Sequence, residues 1–149
     1  LYGIAKNALR EDTFLSAQAH GAIAQWIRAY YIVGDDKFGN SIFSKLLTAA
    51  EEGRTTFPFT TGKNRYDFIS VDGLGEQIAA IVDQTEVDGI INACTGEPMT
   101  LAERVEAYIR DNDLGITLEY GAFPDRPYDS PGVWGDPTKI RRILASSAS

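Results

Sequence analysis

The chain has 149 residues, 44% of them apolar and 23% charged, and carries a formal net charge of −7. That length suits one domain with a core of its own, and the acidic balance excludes broad contact with a nucleic-acid backbone, which depends on basic patches. A single cysteine (Cys94) and a single histidine (His20) exclude an internal disulfide and a structural metal cluster. No window offers the roughly 18 uninterrupted apolar residues of a membrane span; with no basic-then-apolar leader, a cytoplasmic protein is expected.

Residues 2 to about 21 are good helix formers with apolar positions at Ile4, Ala5, Ala8, Leu9 and Leu15, and Gly21 is suited to end the helix. Residues 22–33 are rich in β-formers (Ile23, Trp26, Ile27, Tyr30, Tyr31, Ile32, Val33) and stop at Gly34-Asp35-Asp36, which predicts one buried parallel strand followed by a loop. Asn40 or Ser41 caps the next helix, through Phe43, Leu46, Leu47 and Ala50 to Gly53. Residues 55–60 and 66–71 read as short strands on either side of the turn-forming Thr61-Gly62-Lys63-Asn64. Asp72 is expected to cap a helix whose one face carries Leu74, Ile78, Ile81 and Val82.

Residues 89–93 form a five-residue apolar strand core, Thr100 caps a helix from 101 to about 110, and 117–120 is a short strand. Pro124, Pro127, Pro131 and Gly132 make 121–134 an irregular surface stretch. A last short helix covers 137–144, before a serine-rich tail expected to fray. Strands alternating with helices place the chain in the α/β class. The aromatic set Phe57, Phe59, Tyr66 and Phe68 reads as core or cleft wall, Asp67 as a structural hydrogen-bond acceptor, and His20 and Cys94 as packing or surface residues.

Tyr2 and Lys6 stand four residues apart, hence on one face of the first helix. The pair matches the Tyr-x-x-x-Lys signature of short-chain dehydrogenases/reductases, and the later segments resemble the extended subgroup in the same order. Trp26-Ile27-Arg28-Ala29-Tyr30-Tyr31-Ile32-Val33-Gly34 is similar to its Leu-Arg-x-x-x-x-Tyr-Gly strand. Arg65-Tyr66-Asp67-Phe68-Ile69-Ser70-Val71-Asp72 resembles its Arg-Asp-Phe-x-x-Val-Asp-Asp segment, and Ile91-Asn92-Ala93-Cys94-Thr95-Gly96-Glu97-Pro98-Met99-Thr100 its Tyr-Asn-x-Gly-x-Gly-x-x-x-Ser segment. Arg126 followed by Asp136-Pro137-Thr138-Lys139-Ile140 is like its closing Arg and Asp-x-x-Lys helix.

Over nearly its whole length, then, the chain resembles the C-terminal, substrate-binding half of an NAD-dependent epimerase/dehydratase. The implied fold is part of a Rossmann-type parallel sheet (1–35 and 86–98) plus a small mixed α/β substrate-binding part (36–85 and 99–149). No Gly-x-x-Gly-x-x-Gly turn occurs in the chain, so the glycine-rich nucleotide-binding half, with the Ser/Thr of the catalytic trio, is expected to lie outside it and the chain by itself to be inactive.

The resemblance implies an NAD- or NADP-dependent enzyme that epimerises, dehydrates or reduces a nucleoside-diphosphate sugar, commonly at C4. The compact stretch after Tyr2 points to a reductase or 4-dehydrogenase of a deoxysugar. By the same likeness Tyr2 is the catalytic acid/base and Lys6 its electrostatic partner and cofactor-ribose clamp. Tyr31 falls to the cofactor and Asn40, Ser41, Arg65 and Arg126 to the substrate, with no metal. Asn40 and Ser41 open a helix, and capping is the safer reading of both. Three positions depart from the pattern: Tyr31 replaces an asparagine, Tyr66 replaces the usual arginine with Arg65 one residue earlier, and Gly73 replaces the second aspartate. The alternative is a non-catalytic nucleotide- or protein-binding homologue of the same fold. Exposed sheet edges and apolar faces predict a homodimer or a self-associated fragment, with neither nucleic acid nor membrane as partner.

Overall fold

The computed structural model describes residues 1–34, 39–125 and 129–147. Helix α1 (Tyr2–Ala19) has no side-chain cap and ends at Gly21, whose φ of 64° suits glycine; none of its residues is buried. The strand expected over 22–33 is two strands, β1 (Gln25–Ala29) and β2 (Tyr31–Val33), because the chain changes partner at Tyr30. β1 runs parallel to β6 (Gly89–Ala93), from Gln25↔Gly89 to Ala29↔Ala93, whereas β2 runs parallel to β5 (Phe68–Ser70). An apolar run reports its period but not which strand lies beside it.

Helix α2 (Ile42–Glu51) is opened by Ser41, whose hydroxyl accepts from the Ser44 amide at 3.1 Å. β3 (Thr56–Pro58) lies parallel to β8 (Thr117–Glu119). The strand expected over 66–71 is again two, β4 (Arg65–Tyr66) and β5, with the buried Asp67 between them. Helix α3 (Val71–Val82) is capped by Ser70 rather than Asp72: the Ser70 hydroxyl accepts from the Gly73 amide at 3.0 Å. Asp72 sits in the first turn, where its charge complements the helix dipole.

β7 (Met99–Thr100) pairs antiparallel with β4, and β9 (Gly132–Val133), inside the stretch expected to be irregular, pairs parallel with it. Both depend on a partner more than thirty residues away, which local composition does not reveal. Helix α4 (Leu101–Asp111) starts with the expected Thr100, in a reciprocal capping box with Glu103. Helix α5 (Thr138–Ser147) runs three residues beyond the expected end: Ser146 and Ser147 donate back to the Arg142 and Ile143 carbonyls, and Ile140 and Ile143 are buried.

The result is an α/β fold with parallel strand pairs and two cores. One gathers Phe43, Leu46, Phe59, Val105, Tyr108 and Leu118 between α2, α4 and the β3–β8 pair. The other packs Ile81, Ile91, Ile140 and Ile143 between α3, α5 and β6. Among the described residues no helix is long and apolar enough to cross a membrane.

Candidate active site

Helical spacing brings Tyr2 and Lys6 to one side of α1, with the Lys6 ammonium 5.8 Å from the centre of the Tyr2 ring. They border an open cleft of about 620 Å³ whose floor is the end of β1 and the start of β2: Trp26, Arg28, Tyr30 and Tyr31, with Val133 from β9. Tyr2, Lys6 and Tyr31 thus share one cleft. Tyr2 is 78% exposed.

A second cleft, of about 490 Å³, is lined by Thr60, Asn64, Tyr66, Leu101, Phe123 and Asp129. Its rim is tied down from both sides. The Thr61 amide and hydroxyl donate to Asp125 at 3.3 and 2.6 Å, and the Asn64 amide group donates to the Ser130 carbonyl at 3.0 Å.

The remaining substrate-binding candidates lie elsewhere. Asn40 and Ser41 line neither cleft, and the Ser41 hydroxyl, besides its cap, meets the Ser44 hydroxyl at 2.8 Å. Arg65 donates from Nη2 to the Pro98 carbonyl at 2.8 Å and lines neither cleft. Arg126 lies outside the described residues.

Asp67 is the hinge point of the arrangement. Its fully buried carboxylate accepts from the Thr95 amide (2.8 Å), the Thr95 hydroxyl (2.7 Å), the Gly96 amide (2.9 Å) and the Gly135 amide (3.4 Å). Its own carbonyl takes the Tyr31 amide at 3.0 Å, and its amide donates to the Val133 carbonyl at 3.2 Å. One residue therefore fixes two side chains of the first cleft and, through the chain, its neighbour Tyr66 in the second. Three backbone amides and one hydroxyl thus satisfy the oxygens of this buried side chain. Gly135 has to be glycine here: a Cβ would stand 2.5 Å from the Cys94 sulfur and 2.8 Å from the Tyr30 ring.

Burial first of all raises the Tyr30 phenol, with Arg28 acting in the opposite direction. Burial, then Asp67, pushes the Cys94 thiol up to about 11, so it stays a neutral packing group. Tyr31 is raised by burial first, then by Tyr66 and Asp129.

Sequence reasoning missed Trp26, Tyr30 and Val133 in the first cleft and Phe123, Asp125 and Asp129 in and around the second. The period-2 spacing of Trp26, Arg28 and Tyr30 was a usable signal, since alternate strand residues share a face; nothing local marks Val133 or Phe123. The aromatic set divides as expected between core and wall: Phe59 is buried, Phe57 and Phe68 pack against the same core, and Tyr66 walls the second cleft.

The sequence model of the NAD dependent epimerase/dehydratase family matches residues 1–94. Over 135 residues the chain is 44% identical to dTDP-6-deoxy-L-talose 4-dehydrogenase (NAD(+)) of Aggregatibacter actinomycetemcomitans, a match covering 90% of this chain and 50% of that protein. Among solved structures, RMD from Pseudomonas aeruginosa complexed with NADPH superposes with a TM-score of 0.79 at 15% identity, covering 97% of this chain and 48% of that one. The UDP-glucose 4-epimerase of Thermotoga maritima with UDP-glucose gives 0.77 at 20%, covering 95% and 46%. The chain spans about half the length of the relatives it matches.

Proposed function

The chain belongs to the NAD dependent epimerase/dehydratase family, and from that premise we propose that it is the substrate-holding half of an NAD(P)-dependent enzyme oxidising or reducing C4 of a nucleoside-diphosphate deoxysugar. The 44% identity to a dTDP-6-deoxy-L-talose 4-dehydrogenase carries the reaction class. The placement of Tyr2 and Lys6 beside one cleft supports the assignment of roles.

In this reading the sugar lies in the first cleft with its C4 hydroxyl at Tyr2. Tyr2 would accept the C4 hydroxyl proton as that carbon is oxidised and would return it in the reverse direction. When bound, the nicotinamide group supplies the hydride acceptor. Lys6, one turn along α1, provides positive charge beside Tyr2 and a donor for the cofactor ribose. The residues present fit that end of the cofactor only: a cationic donor and a cleft walled by Trp26, Tyr30 and Tyr31. The pyrophosphate grip falls to a glycine-rich turn outside this chain, so the chain alone is inactive.

The second cleft, with Tyr66 and Phe123 for stacking and Asn64 and Thr60 for hydrogen bonds, takes the nucleotide; the resemblance alone assigns Arg126 to the substrate. In the whole protein the apolar positions of α1 left exposed here, among them Ile4, Leu9 and Leu15, are covered by the other half and by a second subunit.

The test is a nicotinamide absorbance assay on the full-length protein with dTDP- and UDP-linked sugars, NAD and NADP being tried in turn. Reduction of the nicotinamide with a dTDP-deoxysugar is expected. Silence across the whole panel, with both cofactors, sinks the reading.

A further inference from the structure

The second cleft is lined from two stretches of chain that are built differently. Thr60, Asn64, Tyr66 and Leu101 form one wall, and Phe123, Pro124, Asp125 and Asp129 the other. The first wall belongs to the body of the molecule. Beside it Phe59 is buried, the Gly62 carbonyl takes the Ala102 amide at 3.0 Å, and the Asn64 carbonyl takes the Leu101 amide at 2.9 Å, which ties the wall to the start of α4.

The second wall buries nothing at its leading end. Residues 119–125 are all exposed, and Phe123, at 53% exposure, belongs to neither core. Hydrogen bonds to the first wall keep it in place. The Gly121 amide donates to the Thr60 carbonyl at 3.3 Å and the Phe123 amide to the Phe59 carbonyl at 3.2 Å. The Asp125 carboxylate closes the series, accepting from the Thr61 amide at 3.3 Å and from the Thr61 hydroxyl at 2.6 Å, the shortest contact of the four. Asp129 is secured separately, where the Ser130 carbonyl accepts from Asn64. The Thr61–Asp125 clasp therefore governs Phe123 and Pro124.

We propose that Thr61 and Asp125 are positioning residues for the nucleotide, their clasp keeping Phe123 and Pro124 at the cleft that Tyr66 lines. The inference rests on the reading that the second cleft takes the nucleotide, and adds to it the pair that keeps the cleft formed. A stretch that shields no apolar surface opens locally without unfolding the core, so the effect of the clasp stays at the cleft. Only the closed fraction binds, and the apparent Kd rises as that fraction falls. The chemistry at Tyr2, in the other cleft, is left alone. Thr61 carries the argument: it lines neither cleft and acts on a bound nucleotide through Asp125.

The experiment uses the full-length protein as wild type, Thr61→Val, Thr61→Ser, Asp125→Ala and the Thr61→Val/Asp125→Ala double variant. The thermal midpoint without ligand checks folding, and hydrogen exchange at the Phe123 amide reads the wall without ligand. Calorimetric titration with dTDP, together with kcat and KM for a dTDP-deoxysugar, reads the cleft. Thr61→Val is expected to keep the midpoint within about 2 °C, to speed exchange at Phe123, and to raise the dTDP Kd and the sugar KM by about tenfold with kcat within about twofold. Thr61→Ser, which keeps the hydroxyl, should behave as wild type. The double variant should match Asp125→Ala, since the two side chains act as one unit. A Thr61→Val protein that binds dTDP as wild type does, or one that loses midpoint and kcat along with KM, overturns the inference and leaves the nucleotide reading standing. Affinity lost in Asp125→Ala and kept in Thr61→Val makes Asp125 a direct contact and overturns it too. A wild type that binds no dTDP overturns the reading of the second cleft and the inference with it.

Discussion

The lobe between α2 and α4 and the helix α1 are built from equally ordinary helical sequence, yet they end in opposite situations. α2 and α4 close over a core of their own, with Leu46 and Val105 fully shielded, and both start with a hydroxyl cap. α1, at 18 residues the longest helix among those described, buries none of its residues. β1, beside it, has β6 on one edge and no strand on the other among the described residues. Patterning writes a helix in either case. Whether its apolar stripe is covered depends on surface contributed from elsewhere, and the side of the molecule that carries Tyr2 and Lys6 is the one left open.

Asp67 joins the two regions, so its loss should break the comparison outright. Asp67→Ala orphans the amides of Thr95 and Gly96 and the Thr95 hydroxyl, at a cost of about 4 kcal/mol or more, and the denaturant midpoint should fall accordingly. A loss under about 1 kcal/mol would show that the junction is held by something else. Leu46→Ala, inside the closed lobe, should cost about 3 kcal/mol through lost burial and a cavity. Thr100→Ala removes half of the α4 capping box and should cost about 1 kcal/mol by the same measurement. Leu9→Ser sharpens the contrast. In this chain by itself Leu9 is 53% exposed, and the change should stay within about 0.5 kcal/mol. In the full-length protein, where α1 is proposed to be covered, it should approach about 2 kcal/mol.

What the sequence made legible follows the same divide between local and distant causes. The α4 cap at Thr100, the α2 cap at Ser41 and the strand 89–93 were readable because their signals lie within a few residues of their effects. The splits at Tyr30 and Asp67 were not, since each marks a change of strand partner set by residues far along the chain. The Ser70 cap was masked by Asp72, an equally good capping residue two positions on, and β9 by the prolines around it. The site followed suit. That Tyr2 and Lys6 share a helix face followed from their spacing, while Val133, Phe123 and Asp129 reach the clefts only through tertiary pairing.

The most direct measurement is hydride transfer by the full-length protein carrying Tyr2→Phe, followed by nicotinamide absorbance with a dTDP-deoxysugar and compared with binding of the same sugar. Removing one phenol oxygen should lower kcat by about a hundredfold or more and leave binding within a few-fold. Unchanged turnover would contradict the assignment of acid–base chemistry to this cleft.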